Sequence, residues 1–271
     1  METADGGDKP TMSDAVYFTY IGGATALIEF SGVRFLTDPT FDSAGAEFRS
    51  GSYVLERISD PAAVPGGVLP VNAVLLSHDH HFDNLDASGR HFLMRADRVL
   101  TTKAGAERLG GNAIGLAPWE SCSIATPGGA QVAVTATPAR HGPAGGDRGP
   151  VIGFVLTDSI TGENTTYVSG DTVWYEGIAE VAARFRIHYA VLFMGAARVE
   201  AVGPHHLTLT AAEGVEIARA LPGAPIIPLH FEGWRHFSEG REAIERAFRS
   251  AGLEERLFWG EAGVRLDLPM P

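Results

Sequence analysis

One cysteine, Cys122, is all that the 271 residues contain. That excludes an internal disulfide and a cysteine-rich zinc site, and a lone thiol fits a reducing compartment. Remote from every motif, Cys122 reads as a small buried hydrophobe. Positive charge is also scarce: 21 Lys and Arg stand against 33 Asp and Glu, a formal net charge of −12. The cations are scattered, with no basic run. A nucleic-acid partner needs a Lys/Arg surface, so none is expected. No apolar stretch approaches the roughly 20 residues that span a bilayer. Residues 1–14, METADGGDKPTMSD, are acidic and polar with no apolar centre. They read as a flexible N-terminal segment and not as a signal peptide. The expectation is a cytoplasmic protein without an integral membrane segment, one domain over 15–271, with homo-oligomers left open.

Glycine is abundant, at 33 residues, and implies many tight turns. Val16–Ile21, Ala24–Phe30 and Val33–Thr37 read as consecutive short strands, turning at Gly22-Gly23 and Ser31-Gly32. Val71–Leu76 is a continuous apolar run, the pattern of a strand buried on both faces. Asn84–Arg95 then reads as a helix. The second half repeats this grammar. Gln131–Thr137, Val151–Thr157, Thr165–Ser169, His188–Met194 and Pro225–Leu229 read as strands, and Val173–Phe185 as a helix. Thr210-Ala211-Ala212-Glu213 is a capping box opening a helix to Leu221. Ser238 is expected to cap a last helix through Ser250, closed by Gly252. Ala62–Gly67 and Gly142–Pro150 read as loops. Strands with helices outside them predict one α/β layered domain.

Histidine carries the chemical signal, because neutral imidazole is a common zinc ligand. His78, His80 and His81 fall together, with Asp83 behind them, just past the buried Val71–Leu76 run. Such a loop can also be a solvated surface turn. Three further strand ends tip the balance: Thr137-Pro138-Ala139-Arg140-His141, Val168-Ser169-Gly170-Asp171 and Ile227-Pro228-Leu229-His230. Each closes an apolar strand with a lone metal-competent residue. Four such endings in one chain point to a shared centre.

In order and type, a His-rich loop with Asp, a lone His, Gly-Asp and a lone His resemble the metallo-β-lactamase superfamily. Ile21-Gly22-Gly23-Ala24-Thr25-Ala26-Leu27-Ile28 and Leu36-Thr37-Asp38-Pro39 are similar to that superfamily's opening strands. The resemblance runs from about Tyr17 to His230. Asn84-Leu85-Asp86 and His206-Leu207-Thr208 look closest to the branch holding L-ascorbate-6-phosphate lactonase and N-acyl phosphatidylethanolamine phospholipase D. The resemblance implies a four-layer αβ/βα sandwich, two mixed β-sheets flanked by helices. It implies a first metal on His78, His81 (or His80) and His141. A second would sit on Asp83 and His230, with Asp171 bridging, and zinc, two ions per chain, is the expected cofactor, with Mn²⁺ or Fe²⁺ as alternatives. A metal-activated water would cleave an ester-like bond of a small molecule, lactone or carboxylic ester ahead of phosphodiester.

The chain departs from the family's His-x-His-x-Asp-His. It carries one extra residue between the first His and the Asp, which leaves both His80 and His81 as candidates, and it has Asn84 in place of the final His. An amide is a weak ligand through its oxygen. A mononuclear iron oxidase or dioxygenase on the same fold is the second reading, and a non-catalytic ligand-binding relative the third. Asp83, Asp171 and His206 are the expected catalytic residues; Arg140, Trp174, His206 and Trp234 are expected to meet substrate. Trp174, Tyr175, Trp234 and His236, close behind Asp171 and His230, could wall a substrate pocket, although core packing is the commoner role for any one of them, as an exposed surface is for Arg140. Asp38 and Asn84 are expected just behind the ligands, although Asp38 also suits a plain turn before Pro39.

Overall fold

The computed structural model describes residues 16–126, 129, 131–158 and 165–268. The N-terminal segment expected over residues 1–14 lies outside them. In chain order the elements are β1 (Tyr17–Gly22), β2 (Thr25–Phe30), β3 (Val33–Thr37), β4 (Glu47–Ser50), β5 (Tyr53–Glu56) and β6 (Ala73–Leu75). There follow α1 (Ala87–Phe92), β7 (Arg98–Thr102), α2 (Lys103–Leu109), β8 (Ala113–Leu116), β9 (Ser121–Ala125), β10 (Gln131–Pro138) and β11 (Ile152–Asp158). The remainder is β12 (Thr165–Val168), α3 (Glu176–Arg184), β13 (Tyr189–Phe193), α4 (Ala211–Ala220), β14 (Ile226–Leu229), α5 (Arg241–Ser250) and β15 (Arg265–Asp267).

The two halves read from the sequence become two sheets. The first runs β15-β1-β2-β3-β6-β7-β8, the second β14-β13-β12-β11-β10-β9. Both are mixed: β3, β6, β7 and β8 are parallel neighbours, as are β12, β13 and β14. Parallel strands buried on both faces explain the unbroken apolar runs. In β3, Phe35 points to the centre and Leu36 outward; in β6, Leu75 points inward and Val74 outward. The central layer packs Phe18, Ile28, Phe35 and Leu75 of one sheet against Val134, Phe154, Val191 and Leu229 of the other. Outside the second sheet, Ile178 of α3, Val215 of α4 and Phe248 of α5 cover Tyr167 and Leu192. Outside the first, Phe92 and Leu93 cover Val74 and Val99. Three apolar interlayers between two sheets and outer helices make the αβ/βα sandwich that the resemblance implied. Among the described residues no helix is long and apolar enough to cross a membrane.

Local chemistry explains where the elements differ from expectation. The helix expected over Asn84–Arg95 is shorter, because Asp86 caps it at Ala87 by accepting from the Gly89 amide at 2.7 Å. A 3-10 turn over Leu93–Arg95 then ends it. The capping box at Thr210 is present as expected, with Glu213 closing it reciprocally. Ser238 does not cap the last helix. Its hydroxyl donates to the Ala196 carbonyl at 2.6 Å, and Gly240 is the residue before α5. Cys122 lies half-buried on the outermost strand β9 and not wholly inside the core. The hairpin β4–β5 belongs to neither large sheet. It stacks Phe48 on Phe82 of the His-rich loop, 5.0 Å between centroids, and so roofs the site described next.

Candidate metal centre

Four chain segments reach one point because both sheets end there. The loop after β6 carries His78, His81 and Asp83; the ends of β10, β12 and β14 lead to His141, Asp171 and His230. Polar groups at the carboxyl ends of parallel strands are a general consequence of open α/β topology. Two backbone hydrogen bonds clamp the sheets together here: Ile152 N donates to Ser77 O at 3.1 Å, and His230 N to Gly23 O at 3.0 Å. Two left-handed backbone positions serve this convergence, and only the second is strained. Gly170 has φ +59°, and a Cβ there would meet Ile152 O at 2.7 Å and Ser77 Cβ at 2.9 Å. His230, with φ 55°, is a non-glycine residue in the left-handed region, where strain concentrates at functional sites.

The donor atoms crowd one buried volume. Nε2 of His78 is 2.9 Å from Nδ1 of His81, which is 3.1 Å from Nε2 of His141. Asp171 Oδ2 lies 3.3 Å from His141 Nε2 and 3.9 Å from His78 Nε2. On the other side, His230 Nε2 lies 3.5 Å from Asp171 Oδ1 and 3.4 Å from Asp83 Oδ2. Three groups, His78–His80–His81, His78–His141–Asp171 and Asp83–Asp171–His230, each gather their ligand atoms within 4.8 Å.

Electrostatics match a cation-binding role. Burial, then the charges of His81 and His141, holds His78 well below the usual histidine range. Burial and His141 bring His81 to about 2. These imidazoles stay neutral, as metal ligands must. Burial would raise Asp83, yet the His230 and His236 imidazoles beside it hold it well below the usual carboxylate range. Asp171 is wholly buried, and neither of its oxygens has a hydrogen-bond partner among the described residues. A buried carboxylate without donors is costly unless a cation faces it. The residues present therefore fit one or two divalent ions.

The expected supporting residues lie beneath. Asp38 is buried and accepts from the Ser77 amide at 2.7 Å. Burial and the charge of Asp171 push it well above the usual carboxylate range. Asn84 is fully buried, with no partner for its Oδ1 among the described residues. His80 Nε2 is 2.8 Å from Arg148 O, so the ring ties down the Gly142–Pro150 loop, while its buried Nδ1 has no hydrogen-bond partner among the described residues and the residue remains in the group with His78 and His81.

Other expected site residues are not brought to the cluster. Arg140 lies over the Tyr175 ring at 4.4 Å. Trp174 packs with the outer helices and donates its amide to Glu213. Trp234 is a buried support beside Phe48, with Arg57 over its ring at 5.6 Å. His206 pairs with Glu213, Nε2 to Oε2 3.0 Å. The Glu213 hydrogen bond raises His206 above its usual 6.5. Burial would raise Glu213, but His206 and Thr210 take it below its usual 4.5. A raised histidine stabilises fully below its unfolded value and loses this as pH rises through its folded one; a lowered glutamate does the reverse at acid pH. The melting-temperature gap between wild type and His206→Ala is therefore expected to be largest between the usual glutamate and histidine values, 4.5 and 6.5, and to shrink as pH rises above that window or falls below it. A gap independent of pH would remove the ion pair as its cause.

A narrow cleft, with about 20 Å³ open to water-sized groups, lies over His81, Asp83 and His141 and is lined by Tyr53, Leu55, Ala197, Val199, Val202, Leu207, Arg148 and His236. His236, read from the sequence as a candidate pocket wall, does line this cleft, and the sequence did not show that its Nε2 also lies 3.0 Å from Asp83 Oδ2. Its only sequence signal is its place soon after His230. Tyr53 and Leu55 come from the hairpin, whose mixed exposure conceals it in the sequence.

An αβ/βα sandwich whose strand ends converge on buried His and Asp donors defines the metallo-β-lactamase fold. Residues 33–231 match the family described as Beta-lactamase superfamily domain, and the chain belongs to it. It is 24% identical over 256 residues to UPF0173 protein YddR of Bacillus subtilis (strain 168), covering 90% of this chain and 97% of that one. A UPF0173 metal-dependent hydrolase of Myxococcus xanthus (strain DK1622) is 28% identical over 197 residues, 64% of this chain and 61% of that one. The isothiocyanate hydrolase from Delia radicum gut bacteria has a similar structure. Its TM-score is 0.75 at 23% identity, over 92% of this chain and 98% of that one.

Proposed function

We propose that this chain is a metal-dependent hydrolase in which His78, His81, His141 and Asp171 hold one divalent ion. Asp83, Asp171 and His230 hold a second, so that Asp171 serves both. The observation that carries this reading is the buried Asp171 carboxylate, unpartnered and flanked by His141 on one side and His230 on the other. Bound zinc or manganese supplies a Lewis acid and lowers the pKa of water to about 7.

The chain's own groups do the rest. Asp83 orients the attacking water at the floor of the cleft, and His236 fixes that carboxylate through its Nε2. Ser77, 2.9 Å from His78 Nδ1, sets the orientation of that ring. Apolar walls exclude competing water from the electrophile. The substrate is a small molecule, with carboxylic ester or lactone ahead of phosphodiester. The Asn84-Leu85-Asp86 and His206-Leu207-Thr208 phrases support that order through their likeness to the lactonase branch.

Dialysis against a chelator is expected to abolish hydrolysis of p-nitrophenyl esters, and Zn²⁺ or Mn²⁺ to restore it. Elemental analysis should give two such ions per chain. Full activity in metal-stripped protein overturns the reading, and one iron per chain with oxygen consumption would favour an oxidase on the same fold.

A further inference from the structure

The cleft holds a cation that no part of the proposed metal chemistry uses. Arg148 lines it beside His81 and His141. Its backbone is pinned on both sides to the His-bearing segments: its amide donates to His141 O at 2.8 Å, and its carbonyl is 2.8 Å from His80 Nε2. The side chain thus starts from a fixed point at the rim of the donor cluster. Among the described residues no carboxylate forms an ion pair with it; neighbouring Asp147 instead accepts from the Gly149 amide at 3.2 Å.

Two further facts bear on what this arginine meets. The chain carries a net charge of −12, so a negative ligand is repelled at long range unless a local cation receives it. Arg140, the cation next to His141 in sequence, is already spent on the Tyr175 ring. The remaining walls near Arg148 are apolar: Leu55, Val199, Val202 and Leu207. The cleft continues into an outer groove that shares Tyr53, Leu55, Val199 and His236. The inner cleft, with about 20 Å³ open to water-sized groups, holds little more than a water, so the bulk of a substrate lies in the outer groove of about 460 Å³.

We propose that Arg148 is the specificity-determining residue of this site, binding an anionic group of the substrate, carboxylate or phosphate. The substrate's apolar part lies on Leu55, Val199, Val202 and Leu207, and its scissile bond over Asp83 and His141. The planar guanidinium fork suits either oxyanion. This rests on the hydrolase reading above and adds the substrate's charge to it.

The test compares p-nitrophenyl acetate with mono-p-nitrophenyl succinate, which adds a carboxylate to the same leaving group, on metal-loaded full chain. The ratio of kcat/KM, succinate ester to acetate ester, is expected to fall about 10- to 100-fold in Arg148→Gln. The loss should appear in KM, with part recovered by Arg148→Lys. Calorimetric binding of glutarate and of inorganic phosphate, each to wild type and to Arg148→Gln, separates the two anions. It also reads Arg148 if neither ester turns over, an outcome that would count against the hydrolase reading alone. An unchanged ratio together with unchanged anion binding overturns the proposal. So does loss of bound metal from Arg148→Gln, which would make the residue a structural one.

Discussion

Replacing Asp171 by Asn is expected to raise the melting temperature of the metal-free protein while abolishing the stabilisation that zinc or manganese gives. Asp171 is wholly buried, without a hydrogen-bond partner for either oxygen among the described residues, and only the imidazoles of His78, His141 and His230 approach it. Asn keeps the volume and removes the charge. Relief of an imperfectly compensated buried carboxylate is worth about 1–2 kcal/mol, or a few degrees. A ligand present at a thousandfold excess over its Kd stabilises a native state by about 4 kcal/mol, and the variant forfeits this because both proposed ion positions share Asp171. Activity should fall at least about a thousandfold. Scanning calorimetry with and without metal reads the crossover. A variant stabilised by metal as much as wild type would remove Asp171 from the centre.

The second large effect separates neighbours. His81→Ala is expected to lose bound metal and at least about a thousandfold in kcat/KM. His80→Ala should keep its metal and chiefly raise KM. The geometry differs sharply between them. His81 Nδ1 sits between His78 Nε2 and His141 Nε2, at 2.9 and 3.1 Å. The Nε2 of His80 faces the Arg148 carbonyl, so its removal frees the Gly142–Pro150 loop and with it Arg148. Metal content by elemental analysis, paired with kinetics, decides it. Equal metal loss in both variants would mean that His80 also ligates, or that the loop is indivisible.

Much of the sandwich was legible because its signals are local. β3 matches its expected bounds, and β2, β10, β11 and β14 lie within a residue of theirs, since strands buried on one or both faces leave clear apolar patterns that turn residues bound. The edge strands β8, β9 and β15 and the hairpin β4–β5 were not seen, because their residues are partly exposed and the alternation that marks a half-buried strand is blurred in segments so short. Nor were β7 and α2: β7 is buried inside the sheet, but its short run passes straight into the helix at Lys103 with no glycine or proline turn to set it off. The helix start at Ala87 was misjudged because Asp86, and no residue before it, captures the free amide of the first turn.

For the site, the sequence by itself determined which residues could reach a common point. His78, Asp83, His141, Asp171 and His230 each follow an apolar strand, and strands of one fold end on one edge. Only the tertiary structure decided which way the side chains turn there. The extra residue in the loop left His80 and His81 equivalent on paper. The Arg148 carbonyl engages Nε2 of His80, whereas Nδ1 of His81 sits between His78 and His141. Likewise Asp83 gains His236 from across the chain, and the cation at the cleft is Arg148 and not Arg140. The reason is physical. Strand periodicity is a property of neighbouring residues, whereas the direction of a side chain in an irregular loop is set by whatever the other sheet places against it.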